Sequence, residues 1–372
     1  MANRIKEKYM AGKRYFDYPM LFLVIFLICF GLVMIYSTSS YKSTVTYGNS
    51  YHWLLRQAVA IVLGAVAMVV CCKLDYRIIK SEKFGNGCYW ASIVLLVLVL
   101  IIGAAKKGAV RWISIAGFQF QPSEVSKILV VIYLANRLSA NAHKIRTFKD
   151  SIVIVLPTVP IIALIVTQNL STALVVCSMI GVMLFVVSPK MKELMLTAGG
   201  GIILLFVYLL TANSYRNERV QIWLHPESHK KGFQTMQALY AIGSGGIFGK
   251  GLGQSMQKMG FIPESHNDMI FSIICEELGL FGAVCLILVF AALIWRMLLI
   301  AMNADELLGS LLVIGVITHI AMQVFVNIAV VTNTIPPTGI PLPFISYGGS
   351  SIFSTMIEMG IVLSVSRRIH LG

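Results

Sequence analysis

Apolar residues come along this chain as unbroken runs, each close to the ~20 residues that a helix needs to cross a hydrocarbon core about 30 Å thick. The clearest begin near Pro19 ("PMLFLVIFLICFGLVMIY"), Trp53, Tyr89, Ser151, Ser171, Leu194, Asp268 and Leu307, with a final one from Ile352 to Val365. A weaker run, "PSEVSKILVVIYLANRL" from Pro122, carries a Glu and a Lys near its start and brings the total to about ten. In lipid such segments must be helical, because a backbone without water has to satisfy its own polar groups. Run length is therefore a better guide here than amphipathic period. The expected fold is an all-α polytopic integral membrane protein of about ten transmembrane helices. Linkers, low-complexity tracts and clear repeats are absent, so residues 1–372 read as one domain. Within it, 1–18 form an N-terminal segment, 212–267 one long connection and 366–372 a short C-terminal segment.

Composition agrees. Hydrophobic residues make up 57% and charged residues 12%, against roughly 45–50% and 25% in ordinary soluble domains. The charge pattern then orients the bundle. With the N-terminus inside, the cytoplasmic side receives 18 of the 30 basic residues, mostly in short loops: five before Phe16, then Lys73, Arg77, Lys80, Lys83, Arg137, Lys144, Arg146, Lys149, Lys190, Lys192, Arg296, Arg367 and Arg368. The positive-inside rule weights such loops most, so both termini are expected in the cytoplasm and the long 212–267 loop outside it. The net charge of +14 is then mainly a topology signal with some attraction to anionic lipid, too dispersed for a nucleic-acid surface. The basic start could pass for a signal peptide, but its apolar run is longer than a cleaved core and reads as the first retained crossing. Seven cysteines, in odd number and without metal-ligand spacing, read as packing residues.

Several cations remain on the outer face against the usual bias: Arg216, Arg219, Lys230, Lys231, Lys250 and Lys258 in the long loop, and Lys106, Lys107 and Arg111 in another. An anionic ligand is one explanation and a solvated loop the other. "SGGIFGKG" sets Gly249 and Lys250 where a phosphate-binding loop has them, but Ser244 stands at the first glycine position and Gly251 at the final Ser/Thr, so the motif fails at both ends. A flexible turn carrying cations, open to close approach by a ligand, is the better reading. In "QFQPSEVSKILVV", Pro122 suits a first helical turn, and Glu124 and Lys127 share a face at i, i+3. Such a pair is either a structural ion pair or the border of a polar cavity with Lys127 as a phosphate contact.

The chain's 16 acidic residues include four in "FIPESHNDMIFSIICEELGLFG", residues 261–282, with no Lys or Arg between Lys258 and Arg296. Asp268 should stand at the outer mouth of a crossing helix. The helix N-terminus favours its charged form, desolvation raises its pKa, and a carboxylate so balanced can accept a proton. Glu276, eight residues on, lies about 12 Å further along a helix and cannot share that proton. Glu276 and Glu277 read as buried interhelical contacts, their cations coming from elsewhere in the chain, the loop lysines and "QPSEVSK" being the sources expected. Glu264, His266 and Asp268 could instead hold a metal, on weak spacing.

Four stretches, "GAVRWISIAGFQFQPSEVSK", "AIGSGGIFGKGLGQSMQK", "IPESHNDMIFSIICEELGLFG" and "TGIPLPFISYGGSS", resemble in order and spacing the motifs of the SEDS proteins (FtsW, RodA, SpoVE), with "GLGQSMQK" and "EELG" closer to the FtsW and SpoVE branch. The resemblance covers nearly the whole chain. It implies a peptidoglycan glycosyltransferase of the bacterial plasma membrane that polymerises lipid II during division or sporulation, with a class B penicillin-binding transpeptidase and other division proteins as partners. Under it the family's invariant outer-loop acid falls on Asp268 as general base, and its paired Glu and Lys on Glu124 and Lys127. Arg56 and Arg111 are expected to border the substrate, with Lys250, Lys258, Glu264 and His266 as further contacts. Many members have an acid where this chain has Asn169, in "QNLST", so no carboxylate role transfers there. No cofactor is expected, since the pyrophosphate linkage already activates the donor; a divalent cation stays an open alternative. A lipid II flippase and a non-catalytic scaffold are the rival readings. The polar residues gathered at one face argue against a midplane transport site, and a carboxylate kept at a membrane edge argues against a scaffold.

Overall fold

A computed structural model of the chain describes residues 16–106, 109–115, 118–145, 147–188, 214–229, 232–263 and 265–369. The described helices are α1 (Tyr18–Tyr47), α2 (His52–Lys73), α3 (Glu82–Ile102), α4 (Pro122–Asn141), α5 (Phe148–Val155), α6 (Val159–Gln168), α7 (Leu170–Val187), α8 (Ser214–Leu224), α9 (Phe233–Ser244), α10 (Ile270–Met302), α11 (Leu307–Val331) and α12 (Gly349–Ser366). Eight spans among the described residues are long and apolar enough to cross a membrane, α5 and α6 together forming one of them. The weaker run from Pro122 is helical as α4, while the run near Leu194 lies outside the described residues. The protein is a multi-pass membrane protein whose crossings are all α-helical. Two features add to what the runs predict. Strands β1 (Ala104–Lys106), β2 (Ala109–Ile115) and β3 (Phe118–Phe120) form a small antiparallel sheet between α3 and α4, and α8 and α9 occupy part of the 212–267 connection.

Local chemistry sets the boundaries. α1 begins where the Asp17 carboxylate accepts from the Met20 backbone N–H, with Pro19 in the first turn, and it ends at Gly48. A second start, at α5, is closed by a capping box between Thr147 and Asp150. At the α6–α7 break, Asn169 caps α7 by accepting from the Ser171 N–H. The residue that replaces the common acid thus serves as a helix cap.

The bundle is layered by depth of burial. α12 is 78% buried across its crossing window, whereas α2 is only 17% buried; α2, α3 and α5 present Leu55, Val62, Val66, Val94, Ile101 and Val153 outward. Such continuous exposed apolar surface needs lipid around it. α11 and α12 are the centre on which the other helices pack, and α12 lies so close to α2 that a Cβ on Gly360 would stand 2.5 Å from the Met68 carbonyl oxygen. Small residues allow this approach where lipid supplies no hydrophobic drive between helices.

α10 is broken at Gly279, whose φ of 68° and ψ of −169° belong to a region essentially restricted to glycine. The break frees backbone groups that would otherwise be unsatisfied. The glycine-rich segment after α9 fills them. Lys250 and Gly251 N–H donate to the Glu276 and Glu277 carbonyls, and Leu280 and Phe281 N–H donate to Gly246 and Ile247, all at 2.9–3.0 Å. Gly249, also at positive φ (79°), lies so near Glu277 that a Cβ would stand 2.2 Å from its carbonyl oxygen. The loop backbone is thereby built into a crossing helix.

Candidate active site

The same loop supplies the cations missing from the sequence around Glu276 and Glu277. Lys258 Nζ lies 2.7 Å from Glu277 Oε1, and the Ser37 hydroxyl of α1 donates to both oxygens of that carboxylate at 2.7–2.8 Å. Lys250 Nζ lies 2.7 Å from Glu276 Oε1, while Ser255 Oγ donates to Glu276 Oε2 at 2.5 Å. Backbone N–H groups of Met256 and Gln257 complete the shell of Glu276. Both glutamates are fully buried, so they are interhelical and loop anchors, as expected. The lysines are the loop lysines expected; "QPSEVSK" does not contribute, because Lys127 pairs with Glu124. The two lysines considered as substrate contacts are occupied in these pairs: Lys258 is 5% exposed, whereas Lys250 keeps about a third of its side chain open.

Asp268 stands two residues before α10, at its mouth. Asn327 of α11 holds it there, its Nδ2 donating to the Asp268 carbonyl and to the Ile340 carbonyl, each at 2.8 Å. Preceding residues are fixed by the 340s. Ser346 Oγ donates to the Asn267 carbonyl at 2.7 Å and Tyr347 N–H to the His266 carbonyl at 2.8 Å. On the other side, Lys42 Nζ donates to the Pro263 carbonyl at 2.7 Å. The backbone of Gly339, exposed and at φ 76°, faces the Asp268 carboxylate so closely that a Cβ would lie 3.4 Å from Oδ2. A glycine there leaves room beside the carboxylate for a ligand.

His266 is buried in an aromatic group with Trp53 and Tyr347, ring centroids 5.2 and 5.7 Å away, and Trp53 meets Tyr347 at 4.9 Å. Arg56 is exposed one turn along α2 and reaches the Tyr347 hydroxyl. Burial pushes the Tyr347 phenol up from its usual range against a smaller opposing pull from Arg56, so at neutral pH it stays protonated. Arg111, on β2, donates through Nε to the Gln168 carbonyl at 2.6 Å, which sets it at the α6–α7 break beside Asn169. Glu124 and Lys127 form a 2.8 Å ion pair in which both side chains are nearly inaccessible. Glu124 also lies near Ser351 and within electrostatic reach of His319. Glu264 lies outside the described residues. Among the described residues, no three His, Cys, Asp or Glu side chains converge in a metal-binding arrangement.

These parts come from distant stretches of chain, and one segment, residues 345–351, touches nearly all of them. Gly348 N–H donates to Gln57 on the helix of Arg56 at 3.1 Å. Ser350 accepts from Gln121 N–H and donates to the Gln119 carbonyl, fastening the strand end that leads into α4. Ser351 is beside Glu124. "ISYGGSS" was visible as a motif, yet none of its residues stood among the candidate site residues. A second group went unnoticed: His319, Gln323 and Asn327 fall at i, i+4, i+8 on one face of α11, all buried, with His319 2.8 Å from Glu358 of α12. Three polar residues at helical spacing inside an apolar run were a legible signal of an internal polar seam.

A lipid-embedded bundle whose cations, carboxylate and aromatic side chains are drawn together by one late loop at the mouth of a broken crossing helix is a polytopic membrane protein with a polar site at one membrane face. Residues 18–370 match the family described as "Cell cycle protein", FtsW/RodA/SpoVE. The chain belongs to this family. It is 37% identical over 363 residues to the probable peptidoglycan glycosyltransferase FtsW of Geobacter metallireducens, covering 95% of each chain. It is also 37% identical to stage V sporulation protein E of Bacillus subtilis, covering 94% of this chain and 97% of that one. Among solved structures, it superposes with a TM-score of 0.80 and 29% identity on a chain of a peptidoglycan synthase complex described as coordinating polymerization and crosslinking, covering 96% of this chain and 99% of that one. RodA of Thermus thermophilus gives a TM-score of 0.71 at 28% identity, covering 96% and 98%.

Proposed function

We propose that this protein is a peptidoglycan glycosyltransferase that polymerises lipid II, with Asp268 as the general base. The observation that supports this most is Asp268 itself: its backbone is fixed at the mouth of α10 by Asn327, and its carboxylate lies beside the open backbone of Gly339. In the reaction, the acceptor sugar's 4-hydroxyl oxygen bonds to the donor's anomeric carbon while its proton passes to the Asp268 carboxylate. The anomeric C–O bond to the lipid pyrophosphate breaks, and the pyrophosphate leaves with the electron pair. General-base assistance of this kind is worth roughly 10²- to 10⁴-fold. Arg56 is the exposed cation best suited to the developing pyrophosphate charge, since a guanidinium binds phosphate oxygens in pairs, and Arg111 is the second. The buried Glu124–Lys127 and Lys258–Glu277 pairs act by holding the walls of the site. The N- and C-termini lie in the cytoplasm, the Asp268 end faces outward, and the partner is a class B penicillin-binding transpeptidase that crosslinks the strands made here.

The test gives purified protein lipid II in detergent, with and without the transpeptidase, and measures glycan polymer for the parent and for Asp268→Asn. The expected result is polymer from the parent and at least a 100-fold lower rate from the variant. Equal polymer from both removes Asp268 from the chemistry. No polymer from either, together with labelled lipid II crossing liposomes that contain the protein, makes the chain a flippase.

A further inference from the structure

At the end of the bundle opposite Asp268, a cleft of about 450 Å³ opens between α1, α2 and α12. Its walls include Tyr18, Leu21, Met68 and Leu363, and its rim carries Lys73 and Arg367. Most ionic groups at this end are neutralised. Arg296 meets Asp17 at 2.7 Å, Arg368 meets Asp75 at 3.1 Å, and Arg77 meets Glu306 at 3.1 Å. Lys73 and Arg367 differ. Among the described residues neither has a carboxylate partner, and Arg367 is oriented by donating to the Cys72 carbonyl at 3.1 Å. Two uncompensated cations thus stand over an apolar slot at the last turns of two crossing helices.

We propose that this cleft binds an anionic phospholipid, the phosphate seated between Lys73 and Arg367 and an acyl chain lying along Leu21, Met68 and Leu363. Basic pockets between crossing helices recognise anionic headgroups in this way, and the exposed ring of Tyr18 suits the headgroup level. The segment preceding the cleft is a poor occupant. Residues 1–15 carry five cations and one acid and would set like charge against Lys73 and Arg367. A built-in comparison lies across α1. There a groove of about 580 Å³ is lined by Phe22, Leu288 and Trp295, and its one charged lining residue, Arg296, is neutralised by Asp17. That groove should take acyl chains without regard to headgroup.

The test is native mass spectrometry of the full chain released from nanodiscs of equal phosphatidylglycerol and phosphatidylcholine. With two cations each contributing about fivefold near a membrane surface, one retained lipid should favour phosphatidylglycerol by roughly 30-fold. Lys73→Gln/Arg367→Gln should abolish that preference, whereas Lys83→Gln/Lys144→Gln, two exposed basic residues elsewhere, should keep it. Lipid II polymerisation by the Lys73/Arg367 variant reports its folding. Equal retention of both lipids by the parent overturns the proposal without recourse to any variant, as does a preference that survives the double substitution. Displacement of the lipid by millimolar glycerol 3-phosphate in place of intact phospholipid assigns the cleft to a soluble phosphate and also overturns it.

Discussion

Replacing Lys258 with Met would test whether the long loop is anchored through the membrane helix or merely rests on it. Lys258 is 5% exposed and Glu277 0%, and the charge pair at 2.7 Å shares Ser37 of α1, whose hydroxyl lies 3.0 Å from the ammonium. Removing one partner leaves the other charge buried and costs about 3–5 kcal/mol. Glu277→Leu should cost as much from the opposite side. With both replaced, neither charge is stranded, and the remaining loss is chiefly the Ser37 and Ser255 hydrogen bonds, about 1 kcal/mol each. The singles would therefore sum to roughly 6–10 kcal/mol and the double variant to about 2 kcal/mol. Unfolding of the four proteins by titrating denaturing detergent into mixed micelles measures the cycle. Strictly additive effects, each under about 1 kcal/mol, would refute the anchor. If Lys258→Met kept full stability and raised only the KM for lipid II, the lysine would be a substrate contact after all.

Two further outcomes follow from the geometry. Gly279→Ala must place a Cβ 2.3 Å from Gly249 N in a glycine-only backbone region, which should cost more than about 3 kcal/mol and appear as poor yield and loss of the folded peak in size-exclusion chromatography; a monodisperse variant of parental stability would contradict the loop insertion. Asn327→Leu strands the Asp268 and Ile340 carbonyls, at about 1–3 kcal/mol each if both stay buried. Its kcat should fall at least tenfold with little change in KM, and an unchanged kcat would mean that Asp268 is positioned by something else.

The crossings were readable because each apolar run must span lipid as a helix, and the mouth position of Asp268 because that run begins immediately after it. The division of the four carboxylates followed from helix rise alone, and Glu276 and Glu277 are indeed anchors. Their partners were less legible. That Lys250 meets Glu276 and Lys258 meets Glu277 depends on a backbone insertion at Gly279, and in sequence "EELG" looks like uninterrupted helix because the flanking residues are apolar. The small sheet was missed because its strands are only 3, 7 and 3 residues long, and run length marks only segments long enough to cross. Residues 345–351 escaped notice for a different reason. Their work is done through backbone groups and small hydroxyls, which carry no charge or spacing that would mark them as part of a site. His319, Gln323 and Asn327 were overlooked although their spacing was visible, since length and not period had been the guide to the crossings.

Because Ser346, Tyr347, Gly348, Ser350 and Ser351 tie together the Asp268 segment, the Arg56 helix and the Glu124 helix, the part that assembles the site is made after every segment it joins. α12, which itself begins with Ser350 and Ser351 in its first turn, closes against α2, inserted long before. The bond from Asp17 N–H to Ser366 Oγ joins the start of α1 to the end of α12. A nascent or truncated chain that stops before Ser346 holds Asp268 through Asn327 alone and lacks the bonds to Asn267 and His266. The seat of Asp268 is therefore completed only when the segment leading into α12 has entered the bundle.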